Sequence, residues 1–125
     1  MKLSEALKLM KKRPKYRNRK TEYEGITFDS QKEANRYADL LVLQGQGYIE
    51  DLRLQPVFTF DIGKTLLRYD SGRAVTYRAD FQYMEVQPAG DPIRVIEDVK
   101  GMRTKEYKIK RALMKSVNNI TIRET

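Results

Sequence analysis

The chain has 125 residues, with 25 Lys or Arg against 17 Asp or Glu, a net charge of +8, no His and no Cys. Those two absences exclude His-dependent nucleophilic triads, thiolate chemistry, imidazole or thiolate zinc sites and disulfides. The basic balance points first to a polyanionic partner, nucleic acid or an anionic membrane, but no apolar run approaches the ~20 residues of a membrane span.

The charge is unevenly placed. Residues 1–20 carry nine basic side chains and one acid, Glu5. Residues 21–99 carry eight basic and fourteen acidic side chains. Residues 100–117 carry seven basic side chains and one acid, Glu106. Two basic blocks therefore flank an acidic middle. No internal repeat is visible, and a chain this short is expected to form one domain.

In chain order, Leu3, Ala6, Leu7 and Met10 predict a short amphipathic helix over 3–12, ended by Pro14. Residues 11–20 form a basic arm without apolar periodicity, either a solvated linker or a polyanion contact. Residues 21–28 predict a short strand or hairpin with Gly25 at the turn. Ser30 and Glu33 then form a capping box. Behind it Ala34, Tyr37, Ala38, Leu41 and Val42 predict a buried helical stripe, ending near Gly45 or Gly47.

From residue 48 the period becomes alternating. Strands are expected over 49–54 and 57–62, with Phe58 and Phe60 on one face. Segments 66–69 and 74–86 are expected to flank a turn at 70–73. A further apolar strand is expected over 93–99. Thr104 caps a predicted helix over 105–117 with Ile109, Ala112 and Leu113 inward. Asn118 and Asn119 turn the chain into a last strand over 120–123. This order predicts an α/β (α+β) fold: a 21–125 domain with a central mixed sheet flanked by helices, preceded by the 1–20 helix and arm.

Without His or Cys, catalysis would fall to carboxylates, Lys, Arg, Tyr, Ser or Thr, helped by a hard cation such as Mg²⁺. In the 74–86 strand, Val75, Tyr77, Ala79, Phe81 and Tyr83 alternate with a polar set containing Asp80. In the next strand Asp98 and Lys100 share a face, and Glu97 points the other way. Asp98 and Lys100 are thus the better partners for Asp80. Two carboxylates side by side repel without a cation, and with one they can serve phosphodiester hydrolysis. A neighbouring Lys can orient or activate the attacking water. The spacing alone favours a surface salt bridge over catalysis. What favours a site is its place at the end of an apolar strand, followed by Gly101 and a strongly basic helix.

Tyr77-Arg78-Ala79-Asp80-Phe81 and Ile96-Glu97-Asp98-Val99-Lys100-Gly101 resemble the bipartite motif of the PD-(D/E)XK nuclease superfamily. Residues 28–37 resemble its first core helix. The segments 16–41, Leu54-Gln55-Pro56 and 77–113 resemble a family of small phage and prophage proteins assigned to that superfamily. Ala79 stands where the motif's name has Pro, and Asp98 where Glu is commoner. The resemblance implies a restriction-endonuclease-like core and a metal site of Asp80 and Asp98, with the Val99 carbonyl a further ligand. It implies Lys100 as the residue that positions or activates water. Glu33 matches an acid that many members contribute to the catalytic metal site. It sits about 40° round the helix from Tyr37, and the capping box explains it equally well.

The resemblance also implies a Mg²⁺- or Mn²⁺-dependent endodeoxyribonuclease of phage or prophage origin, cytoplasmic in a bacterial host. Its work would lie in recombination or DNA processing. A branched substrate such as a Holliday junction suits a chain with little room for a sequence-reading domain. A homodimer would put two sites on two strands. DNA contacts are expected from Lys15, Arg17, Arg19 and Lys20 in the arm and from Lys105, Lys108 and Lys110 in the last helix. Tyr16 and Tyr23 are candidates for base stacking, or for packing. A non-catalytic DNA-binding protein that keeps the fold is the alternative, followed by a basic protein with an acidic protein partner.

Overall fold

The computed structural model describes residues 20–100 and 102–125. The expected helix over 3–12, and the arm with Lys15, Tyr16, Arg17 and Arg19, lie outside the described residues. Lys20 is exposed at the start of the described chain.

Strands β1 (Thr21–Tyr23) and β2 (Ile26–Phe28) form an antiparallel hairpin. Its two turn residues, Glu24 and Gly25, both have left-handed backbone (φ 50° and 79°), the geometry that matches a two-residue turn to strand twist. Helix α1 (Gln31–Gly45) follows, with the Ser30 hydroxyl accepting the Glu33 N–H at 3.1 Å. It ends as the sequence predicts. Gly47 turns left-handed (φ 82°), its N–H meets the Gln44 carbonyl, and the Tyr48 N–H meets that of Leu43.

Strand β3 (Ile49–Leu54) has the expected bounds. The expected continuous strand over 57–62 is instead two pieces, β4 (Val57–Phe58) and β5 (Asp61–Ile62), and β5 pairs with β6 (Thr65–Leu66). The turn at 70–73 forms, closed by an Arg68–Ala74 bridge. The expected single strand over 74–86 is also two, β7 (Tyr77–Arg78) and β8 (Phe81–Glu85). It changes partners between them: β7 pairs with β4, while β8 pairs with β3 and with β9 (Ile93–Asp98). Helix α2 (Lys105–Ser116) is capped by Thr104, whose hydroxyl accepts the Tyr107 N–H at 3.1 Å. The last strand, β10 (Arg123–Glu124), lies further on than the expected 120–123 and runs parallel to β9. The main sheet has the order β10-β9-β8-β3 and is mixed, as predicted.

Two cores meet at β9. Val95 and Val99 join Ala34, Ala38 and Leu40 of α1 with Phe81 and Tyr83. Ile96 joins Tyr107 and Met114 of α2 with Phe60, Tyr77 and Ala79. Successive strand residues point to opposite faces, so the two helices cover opposite faces of β9. Leu40 is fully buried where Val42 had been expected. The expected inward face of α2 is corrected: Ile109 is 63% exposed and Ala112 is exposed. The inward residues are Tyr107 and Met114, with Leu113 half-buried. Tyr107 decides this rotation, because its ring packs against Tyr77 and its hydroxyl reaches Glu124 at 2.9 Å. Tyr23 is a packing residue, buried and edge-on to Tyr37.

Glu97 is fully buried on the α1 face of β9. The Arg36 guanidinium grips its carboxylate with two hydrogen bonds of 2.7 and 2.8 Å, and the Tyr83 hydroxyl donates a third at 2.7 Å. The carboxylate holds the Arg36 proton far more firmly than usual. Removing the cation would strand a desolvated carboxylate. We expect Arg36→Met to lose about 3–5 kcal/mol in urea unfolding at neutral pH. A loss below about 1 kcal/mol would mean that the contact behaves as an exposed pair.

Candidate active site on strands β8 and β9

The break in the 74–86 strand falls at Asp80, and three main-chain hydrogen bonds fix it. The Asp80 N–H donates to the Glu97 carbonyl at 3.2 Å. The Asp80 carbonyl accepts the Gln55 N–H at 3.0 Å, and the Ala79 N–H donates to the Pro56 carbonyl at 3.1 Å. Gln55 adopts left-handed backbone (φ 51°) to do this, a costly conformation for a non-glycine residue. The segment Leu54-Gln55-Pro56 is therefore a clamp on the backbone of Asp80.

Phe81 lies opposite Glu97 in the antiparallel pair, which brings Asp80 beside Asp98. The Asp98 carboxyl is close enough to Asp80 to raise its pKa. Asp80 Oδ2 also accepts the Val99 N–H at 2.7 Å. Asp98 is 2% exposed and accepts a hydrogen bond from the Tyr77 hydroxyl. The Lys100 ammonium stands 3.1 Å from Asp98 Oδ2 and 4.2 Å from the centre of the Tyr107 ring. The last residue holds this segment from behind: the Thr125 N–H meets the Asp98 carbonyl, and the Lys100 N–H meets that of Thr125. The sequence-predicted set Asp80, Asp98 and Lys100 is thus brought together on neighbouring strands. The bond recorded for Val99 uses its N–H rather than its carbonyl.

Glu33 lies half-buried on the first turn of α1. Burial, and then the charge of Asp29, raise its pKa, with a smaller push from Asp98. Lys100 and a backbone hydrogen bond at Asp29 oppose the rise. Glu33 therefore shares the electrostatic field of the pair. Its N–H still serves the Ser30 cap, so the cap and the site are compatible uses of this residue. The Lys32 ammonium donates to the Lys100 carbonyl at 3.0 Å, a second link between α1 and this strand end.

Tyr77, Tyr107, Lys32 and Gln55 are the site residues that the sequence reading missed. Tyr77 and Tyr107 carried only an apolar or interleaved-aromatic signal. Lys32 and Gln55 lay within segments that carry the resemblance, but their roles depend on long-range pairing that the sequence does not show.

Burial, and next the hydrogen bond to Asp98, push the Asp80 carboxyl up to about 8, against a weaker opposing effect of the Val99 N–H. Desolvation and the neighbouring Asp98 charge together favour the protonated form of Asp80 when no metal is bound. A divalent cation is a natural replacement for that proton, and Mg²⁺ needs only one or two carboxylates, keeping several waters. Asp80 and Asp98 fit that requirement. Among the described residues no cluster of three or more acids is close enough to hold an ion.

The model of one protein family, described as a protein of unknown function (DUF1064), matches residues 13–122. The chain belongs to the DUF1064 family. Neither a curated protein nor a solved structure matches it. The DUF1064 match spans the Gln55 clamp, the Asp80–Asp98 pair, Lys100 and all of α2. Among the described residues of this DUF1064 chain no helix is long and apolar enough to cross a membrane.

The protonated pair has a pH signature. The folded chain binds the Asp80 proton more tightly than the unfolded chain, whose carboxyl titrates near 3.8. Stability from this group is complete below that pH and is lost as pH rises towards 8. We expect the metal-free protein in EDTA to melt at falling temperature between pH 5 and 8, with a shallower fall in Asp80→Asn. Parallel curves for the two proteins would contradict a proton held on Asp80.

Proposed function

We propose that this protein is a Mg²⁺-dependent endodeoxyribonuclease of the PD-(D/E)XK type, acting on branched DNA during recombination or DNA processing. The observation that carries the proposal is the pairing of half-buried Asp80 with buried Asp98, with the Lys100 ammonium 3.1 Å from Asp98. Asp80 and Asp98 would hold the cation, and Glu33 would contribute through water. Bound there, Mg²⁺ neutralises phosphate charge and acidifies a water. Lys100 orients the attacking water and stabilises charge as it develops on the phosphate. Its ammonium is held between Asp98 and the Tyr107 ring, which keeps it in place before substrate arrives. The exposed Lys105 and Lys108 of α2 would grip phosphates, together with the arm residues Lys15, Arg17, Arg19 and Lys20. Lys110 is the weakest of the expected contacts, since it pairs with Glu106 at 3.0 Å.

The alternative is a non-catalytic DNA-binding protein in which Asp98, Tyr77 and Lys100 form only a structural hydrogen-bond network. Labelled linear, flap and four-way-junction DNA incubated with Mg²⁺ or Mn²⁺ separates the two. The nuclease reading expects cutting by the wild type, preferentially of the junction. It expects a loss of about 100-fold or more in Asp80→Asn, Asp98→Asn and Lys100→Met. Glu33→Gln, which keeps the Ser30 cap, is expected to lose about 10-fold. Wild-type binding without cutting, or full cutting by the Asp80 and Asp98 variants, would reject the nuclease reading.

A further inference from the structure

Helix α2 has two unlike flanks on either side of its buried Tyr107–Met114 line. One carries Glu106, Ile109, Lys110 and Leu113 beside Leu67, Tyr69 and Val75. The other carries Lys108, Arg111 and Lys115, at i, i+3 and i+7, beside Thr121 and Ile122 at the approach to β10. Between α2 and that approach lies a groove of about 320 Å³ lined by these residues.

We propose that this groove binds the phosphodiester backbone of a nucleic-acid strand. Three cationic side chains and Thr121 line it, and no acid is among its described lining residues. Glu124, the nearest anion by contact, meets Arg111 at 3.2 Å but is already held by Arg103 at 3.0 Å and by the Tyr107 hydroxyl. Those donors keep the Glu124 carboxyl ionised down to about 2. Among the described residues Lys108 and Lys115 form no ion pair, unlike Lys110 across the helix. Like charges on one helix face repel at about one turn's spacing. A polyanion relieves that repulsion, and a helix carrying them over seven residues spans roughly 10 Å, about three nucleotide steps of one strand.

A chain of side-chain contacts links the groove to the candidate active site. Arg111 touches Glu124, Glu124 touches Tyr107, and the Tyr107 ring lies under the Lys100 ammonium. A strand with its phosphate at Lys100 would be carried along α2 by Lys108, Arg111 and Lys115. This last step, that the bound strand is the one cut, rests on the nuclease reading. Backbone binding in the groove does not.

The test is binding without cleavage. Fluorescence anisotropy of labelled duplex DNA, in EDTA and across a salt series, compares wild type with Lys108→Gln/Lys115→Gln and with Arg111→Gln. Lys64→Gln, in the β5–β6 turn away from the groove, is the control. The double variant is expected to bind at least about 10-fold more weakly at low salt, and its log K against log salt slope to fall by about 2. Arg111→Gln is expected to lower the slope by about 1, and Lys64→Gln to change neither quantity. Unchanged affinity and slope in folded groove variants would overturn the proposal, as would wild-type protein that binds only acidic protein and no DNA. Weaker binding by the groove variants of a protein that never cuts would support the groove and reject the nuclease. Cutting by a protein whose groove variants bind as wild type would do the reverse.

Discussion

Glu97 and Asp98 are consecutive, both carboxylic, and both buried on the central strand β9. Strand geometry sends them to opposite faces, so each must be compensated separately, and the rest of the molecule is arranged around that need. Glu97 is closed off by Arg36, Tyr83 and Thr125. That arrangement leaves no place for a metal or a substrate, and it fastens α1 to the sheet. Asp98 is compensated only in part, by Tyr77, Lys100 and a proton on Asp80. The first carboxyl builds the scaffold. The second is left where a cation can take over from a proton. Arg36 lies one turn after Glu33 on α1, so the scaffold contact also sets where Glu33 stands relative to the pair.

Much of this was legible from local chemistry. Ser30, Thr104, Gly25, Gly47 and the 70–73 turn act over a few residues, and each was found where its own stereochemistry put it. The opposition of Glu97 to Asp98 and Lys100 followed from strand alternation alone. Long-range pairing was not legible. Residues 74–84 alternate in burial, yet the buried odd-numbered residues divide between two cores, because Gln55 and Pro56 capture the backbone at Asp80 and the strand changes partners there. The inward face of α2 was misread because Ile109 and Ala112 have the right apolarity. Tyr107 overrides them through contacts with Tyr77 and Glu124, which lie far away in sequence. The N-terminal arm lies outside the described residues.

The charge pattern gains meaning from the fold. The acidic middle of the sequence contains the carboxyl pair, where negative charge has to be retained to hold a cation. The basic helix is divided by its own packing. Glu106 neutralises Lys110 on the flank beside Leu67 and Tyr69, and the flank towards β10 keeps its charge. The net charge of +8 is what suggests a polyanionic partner, and on the proposed reading the rotation of α2 set by Tyr107 decides the side on which it would lie.

The account stands on the Asp80–Asp98 pair being a cation site in waiting. The most direct measurement is a crystal structure with Mn²⁺, located by its anomalous scattering. We expect one Mn²⁺ peak touching an oxygen of each of Asp80 and Asp98, with Lys100 nearby and the Arg36–Glu97 contact unchanged. A fully soaked crystal with no peak between the two carboxyls would contradict it.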